Sequence, residues 1–140
     1  MHDIGKKELP MNVVIKTRLE MTAAEMRLYE THPQRGKDLL GDIVGIPDDV
    51  ISIVAHHHEN NVGTGFPYRL TANRIHPLAK IVAVADCFFN IMIKMGVKEK
   101  TGIQEAIRRM ATIHSMELDQ GVVKALAQLF GVTWPIAKAS

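Results

Sequence analysis

An adjacent histidine and aspartate, His2-Asp3, stand just before a lysine, Lys6, at the start of the 140-residue chain. Imidazole and carboxylate are donors for a divalent metal, and a lysine ammonium is a point charge for a phosphate oxygen, so the three hold the parts of a metal-assisted attack on a phosphoester. Three further stretches carry donors of the same kind: THPQRG at 31–36, HHHENNVGTGFP at 56–67 and HPLAKIVAVADCF at 76–88. Each has an ordinary explanation when taken alone. A His-Asp dipeptide is weak evidence, His56-His57-His58 reads as an exposed helix end, His32 before Pro33 as a helix cap, and Lys6 as a solvated lysine. Their joint occurrence in this order points to metal. His2, Asp3, His32, His57, His58 and Asp86 supply six candidate ligands, too many for one tetrahedral ion but suited to two octahedral ions sharing a bridging carboxylate and a bridging hydroxide. Imidazole with carboxylate suits Fe, Mn, Zn or Ni better than Mg or Ca. His76 and His114 have no partner at useful spacing and read as structural or surface residues.

The elements that must position these groups are helical. Thr22-Ala-Ala-Glu25 has the form of a capping box and predicts a helix to about Glu30, after which Thr31-His32-Pro33 restarts the chain as a second helix ended by Gly45. Pro47-Asp48-Asp49 opens the next, with acids where the helix dipole favours them. Its apolar stripe of Ile46, Val50, Ile53 and Val54 continues at helical spacing into His57 and His58, so those histidines should point inward. A Gly-rich, strand-free loop is expected from Asn60 to Thr71. Ile75, Leu78, Val82 and Phe89 predict the buried stripe of the following helix, with Asp86 on the same face. An ionised carboxylate there needs a cation or a strong donor beside it. Thr101 to Gln104 caps a further helix to about Ile113, and Asp119 opens a last one carrying Val122, Val123, Leu126, Leu129 and Phe130 up to Gly131. Met92, Met95 and Met110 sit at core spacing. The expected fold class is all-α.

Composition bounds the function. At 46% hydrophobic and 23% charged residues the chain has the make-up of an ordinary globular domain, long enough for one core. The net charge of +2, without a dense Lys/Arg run, argues against duplex nucleic acid as a partner and does not repel a small phosphate ligand. The longest apolar stretch, Ile81 to Ile93, is too short for a bilayer and is interrupted by Asp86 and Asn90. No signal peptide precedes the first motif, and Cys87 alone forms no internal disulfide, so the expected setting is cytoplasmic, with no membrane contact.

HDIGK at the start, the HP-x-x-G of His32 to Gly36, His57-His58-Glu59 with the GTGFP of Gly63 to Pro67, and the VAD of Val84 to Asp86 together resemble, in order and spacing, the HD-GYP subgroup of the HD metal-dependent phosphohydrolases. The resemblance is strong from Met1 to about Ile93 and extends in pattern to LDQGVVKAL at 118–126. It implies an HD-domain helical bundle over residues 1–140, as one domain of a longer protein. It implies two or three divalent metals, most often Fe or Mn, and hydrolysis of cyclic di-GMP or a related nucleotide through a metal-bound hydroxide. His2, Asp3, His32, His57, His58 and Asp86 take the family's metal positions, with Asp3 bridging. Asp3 and Lys6 become the catalytic pair. Lys6, with Gly63 and Gly65 of the signature loop, stands beside the substrate.

The sequence departs from the family pattern in three places. The family's Asp-Gly-x-Gly-Tyr-Pro loop reads Val62-Gly63-Thr64-Gly65-Phe66-Pro67, losing an acid and a tyrosine hydroxyl. The family's basic segment after the last ligand is absent, leaving Lys94, Lys98 and Lys100 as substitutes for holding the nucleotide. A further ligand that the family places on an upstream helix has no counterpart. The leading expectation is a cyclic di-GMP phosphodiesterase. The alternatives are a degenerate module that binds a nucleotide or docks a regulatory protein through the 60–67 loop, and a phosphohydrolase of another nucleotide. A homodimer is compatible with any of these.

Overall fold

The computed structural model describes residues 1–96 and 100–134 and is all-helical. A short 3-10 helix, Ile4–Glu8, leads into α1 (Met11–Val14), α2 (Ala23–Tyr29), α3 (His32–Gly41) and α4 (Asp48–His56). After the loop come α5 (Pro77–Met95), α6 (Lys100–Thr112) and α7 (Gln120–Leu129). The capping box forms in full. Thr22 Oγ1 accepts from the Glu25 amide at 3.2 Å, and the Glu25 carboxylate accepts from the Thr22 amide at 2.8 Å. Asp119 caps α7 by accepting from the Gly121 and Val122 amides.

The bundle has two packing units joined by α5. In the first, α3 lies between α4 and the opening 3-10 helix. The approach is close enough to require glycine: a Cβ on Gly5 would fall 1.9 Å from the His32 carbonyl oxygen, and one on Gly36 would fall 2.7 Å from a Val54 methyl. In the second, α5, α6 and α7 enclose Val84, Phe88, Ala106, Ile107, Met110, Val123 and Ala127.

Several expectations need correction. Helix α3 ends at Gly41, and Gly45, at φ 94°, sits in the turn beyond it. The buried face of α5 is Ala79, Val84 and Phe88, whereas Leu78 and Phe89 are exposed, Phe89 by 67%. Apolar residues, among them Ile81 and Ile93, also stand on the exposed side of this helix, so apolar spacing does not choose its inner face; contact with α6 and α7 does. Leu129 is likewise exposed at the end of α7. The 3-10 helix and α1 are too short to leave a periodic signal. The loop carries an isolated β-bridge between Val62 and Thr71.

Candidate metal centre

Two imidazoles have their tautomers set by the main chain. His32 Nδ1 donates to the Tyr29 carbonyl and His57 Nδ1 to the Val54 carbonyl, both at 2.7 Å. A carbonyl can only accept, so each neutral ring turns a bare Nε2 to the other side. The two Nε2 atoms are 3.3 Å apart. Asp3 Oδ1 lies 3.3 Å from one and 3.5 Å from the other, and it has no hydrogen-bond donor. His58 Nε2 is also sealed from solvent without a partner. Donor atoms of Asp3, His32, His57 and His58 all lie within 4.8 Å of one another. Lone pairs that converge in a buried place repel and have lost their water, so this constellation calls for a cation at its middle. Three imidazoles and a carboxylate are a donor set that fits a first-row divalent metal.

The electrostatics keep the donors in ligating form. Burial works to raise the Asp3 carboxyl, but the hydrogen bond and charge of the Lys6 ammonium hold it below the usual carboxylate range. Burial, with His57 and His32 beside it, pushes His58 down to about 2, so it stays neutral with a free lone pair. Lys6 Nζ donates to Asp3 Oδ2 at 2.7 Å and lies 5.2 Å from the centre of the Tyr29 ring. Burial opposes its charge, yet Asp3 and Tyr29 raise its pKa above the ordinary value.

His2 and Asp86 stand at the edge of this cluster. His2 Nε2 is 3.5 Å from Asp3 Oδ2, and its ring meets that of His57 at 5.1 Å. Asp86 accepts from Asn90 at 3.0 Å and shares with His2 an open pocket of about 330 Å³, also lined by Ile81, Val82, Ala85 and Phe89. The donor that this carboxylate was expected to need is thus supplied, at least in part, one turn along its own helix. Burial lowers the pKa of His2, with Asp3 and Asp86 pulling the other way. Lys94 is exposed in the last turn of α5, roughly 12 Å along the axis from Asp86. Lys98 lies outside the described residues, as does the side chain of Lys100.

The loop after the histidines is fastened to them. Gly65 packs so closely that a Cβ would lie 2.5 Å from the His58 carbonyl oxygen, while Gly63 turns the chain at φ 79°. Phe66 is buried, its ring 4.6 Å from that of His58. Val62, by contrast, is 44% exposed. His76 and His114 do have partners, Asp49 at 3.1 Å and Glu117 at 2.9 Å.

Residues 1–122 match the family described as HD domain. The chain is an HD domain. It is 34% identical over 132 residues to a cyclic di-GMP phosphodiesterase of Pseudomonas aeruginosa, covering 94% of this chain and 31% of that protein. It is 32% identical over 127 residues to a cyclic di-GMP phosphodiesterase response regulator of Xanthomonas campestris, covering 90% and 33%. An HDG"Y"P protein from Bdellovibrio bacteriovorus has a similar structure, with a TM-score of 0.73 at 25% identity, covering 93% of this chain and 40% of that one. The chain thus spans about a third of the length of the curated relatives it matches. Divalent metal binding follows from membership in the HD domain family. Among the described residues, no helix of the HD domain is long and apolar enough to cross a membrane.

Two residues of this HD domain escaped the sequence analysis as contributors to the site. Glu59 is 4% exposed, and its carboxylate accepts from the Tyr68 amide at 2.6 Å and the Leu70 amide at 2.8 Å, tying the loop to the residue next to His58. An acid directly after an inward-facing histidine, followed by a loop rich in free amides, was the available signal. Tyr29 offers its carbonyl to His32 and its ring to Lys6, and nothing in its sequence neighbourhood marks either role.

Proposed function

We propose that this HD domain is the catalytic unit of a metal-dependent phosphodiesterase acting on cyclic di-GMP. The observation that carries the proposal is the set of four converging donors, two of them tautomerically fixed, around an unpartnered buried oxygen of Asp3. The names of the curated relatives supply the substrate class.

In this proposal Asp3, His32, His57 and His58 would hold one divalent ion, and His2 and Asp86, on the open side, would serve a second together with Asp3. Fe or Mn suits the mixture of imidazole and carboxylate. When bound, such ions polarise a phosphoryl oxygen and make water nucleophilic at neutral pH. The chain's own groups do the rest. Lys6 neutralises charge developing on the phosphate, with Asp3 fixing its ammonium and Tyr29 flanking it. The Tyr29 and Val54 carbonyls hold the His32 and His57 rings in the ligating tautomer. Phe66 and the glycine-packed loop keep water from the inner side of His58.

A catalytically degenerate module that docks a regulatory protein is the second reading, favoured by the altered loop. Because Phe66 is buried against His58, such a partner would meet the exposed part of the loop at Val62 and Thr64. Metal analysis of the protein together with a cyclic di-GMP hydrolysis assay separates the two. Bound metal with turnover supports the enzyme, whereas full metal loading without turnover of any cyclic dinucleotide supports the docking module.

A further inference from the structure

Phe66, whose ring packs on His58, also lines a second cleft, of about 420 Å³, walled by the end of α2, the start of α3 and residues 64–69 of the loop. That volume lies in the range of small-ligand sites. Among its walls are Arg27, Glu30, Gln34, Phe66, Tyr68 and Arg69.

Arg69 is the one non-glycine residue with left-handed backbone among those described, at φ 55°. Glycine adopts this conformation freely and arginine does not. Backbone strain of this kind, in a residue whose side chain lines a cleft, points to a use for the side chain. The guanidinium groups of Arg27 and Arg69 are also uncommitted, since the arginine–carboxylate pairs among the described residues are those of Arg35, Arg108 and Arg109. The aromatic wall is firmly placed. Tyr68 Oη donates to Gln34, Gln34 donates to Asp38 at 2.7 Å, and the Tyr68 amide is held by Glu59.

Arginines beside a carboxylate and an aromatic ring suit guanine and not adenine. Guanine offers two acceptors, O6 and N7, that fit an arginine fork, and two donors, N1–H and the N2 amino group, that suit a carboxylate. Adenine turns its N6 amino group toward the arginine and a bare N1 toward the acid, so both contacts become repulsive. We propose that this cleft is a guanine subsite, in which Arg69 with Arg27 donates to O6 and N7, Glu30 accepts from N1–H and N2–H, and Tyr68 supplies an aromatic surface. This rests on the phosphodiesterase reading and names the part of the chain that selects the base.

Arg69→Gly tests it, because glycine relieves the backbone while removing the guanidinium, so the fold is retained. Metal-loaded wild-type protein is expected to hydrolyse cyclic di-GMP in preference to cyclic di-AMP. In Arg69→Gly, kcat/KM for cyclic di-GMP should fall about tenfold or more, mainly through KM, and the preference should narrow. Turnover of bis(p-nitrophenyl) phosphate, which has no base, should be unchanged. Calorimetric titration should show wild type binding GMP more tightly than AMP, and Arg69→Gly losing the difference. A wild type active on cyclic di-GMP whose base preference survives Arg69→Gly overturns the subsite alone. A wild type that binds GMP over AMP through Arg69 but hydrolyses neither dinucleotide overturns the phosphodiesterase reading and keeps the subsite.

Discussion

The unit built on α5, α6 and α7 and the unit built on the opening 3-10 helix, α3 and α4 solve burial in opposite ways. The first hides seven apolar or small side chains from water and leaves no ionisable group among them. The second buries His32, His57 and Glu59. Glu59 finds two amides, but the imidazoles and Asp3 meet with their lone pairs facing inward. Apolar packing is complete in itself, whereas the polar cluster is complete only with a cation. Stability of the first unit should therefore be indifferent to metal, and stability of the second linked to it.

The sharpest break between the two comes from Asp3→Ala, which should lose bound metal and turnover together, with melting that no longer responds to a chelator. Metal analysis and calorimetry check this, and retention of stoichiometric metal would contradict the proposed centre. Ile107→Ala in the apolar unit should cost about 2–5 kcal/mol of stability. Its metal content and turnover at low temperature should match wild type, as denaturant titration and assay would show. Lys6→Ala should keep the metal and slow turnover by roughly a hundredfold, as for other removed charge stabilisers. Equal metal loss in Lys6→Ala and Asp3→Ala would make Lys6 merely structural.

A pH series on metal-free protein sharpens the contrast further. His58, pushed from its ordinary 6.5 to about 2, stays unprotonated in the fold while the unfolded chain takes up a proton. Its contribution is thus neutral above pH 6.5 and destabilising below, increasingly so toward about pH 2, with a slope approaching 1.4 kcal/mol per pH unit. Denaturation midpoints between pH 7 and 5 should fall, and less steeply in His58→Asn. The smallest effect is expected from restoring the family loop with Val62→Asp and Phe66→Tyr. Metal content should stay constant, and rate should change by less than about tenfold. Loss of metal in Phe66→Tyr would show that its packing on His58 holds the ligand in place.

What the sequence made legible was whatever is decided within a few residues. The Thr22–Glu25 box, the start of α4 at Pro47 and Asp48, the Asp119 cap and the inward turn of His57 are local hydrogen-bonding and spacing events. The ordered candidates His2, Asp3, His32, His57, His58 and Asp86 could be named, and donor atoms of four of the six, Asp3, His32, His57 and His58, lie within 4.8 Å of one another. The inner face of α5 was illegible because its exposed side also carries large apolar residues, Leu78, Ile81, Phe89 and Ile93. The Glu59 clamp and the Tyr29 carbonyl were missed because each depends on main-chain groups, whose placement residue types do not encode.

Gly5 separates the ligand roles of the first motif from its tolerance to change. Its α-carbon rests against the His32 carbonyl, so the distance from Asp3 to His32 is set by the thickness of two backbones in contact. Any side chain at Gly5 would drive the opening segment off α3 and open the cluster, whatever ligands remained. A search for variants with altered metal preference can exchange donors at His2 or Asp86 on the open side. The constraint on the neighbouring strand of sequence is steric, and it is strictest at a residue that binds nothing.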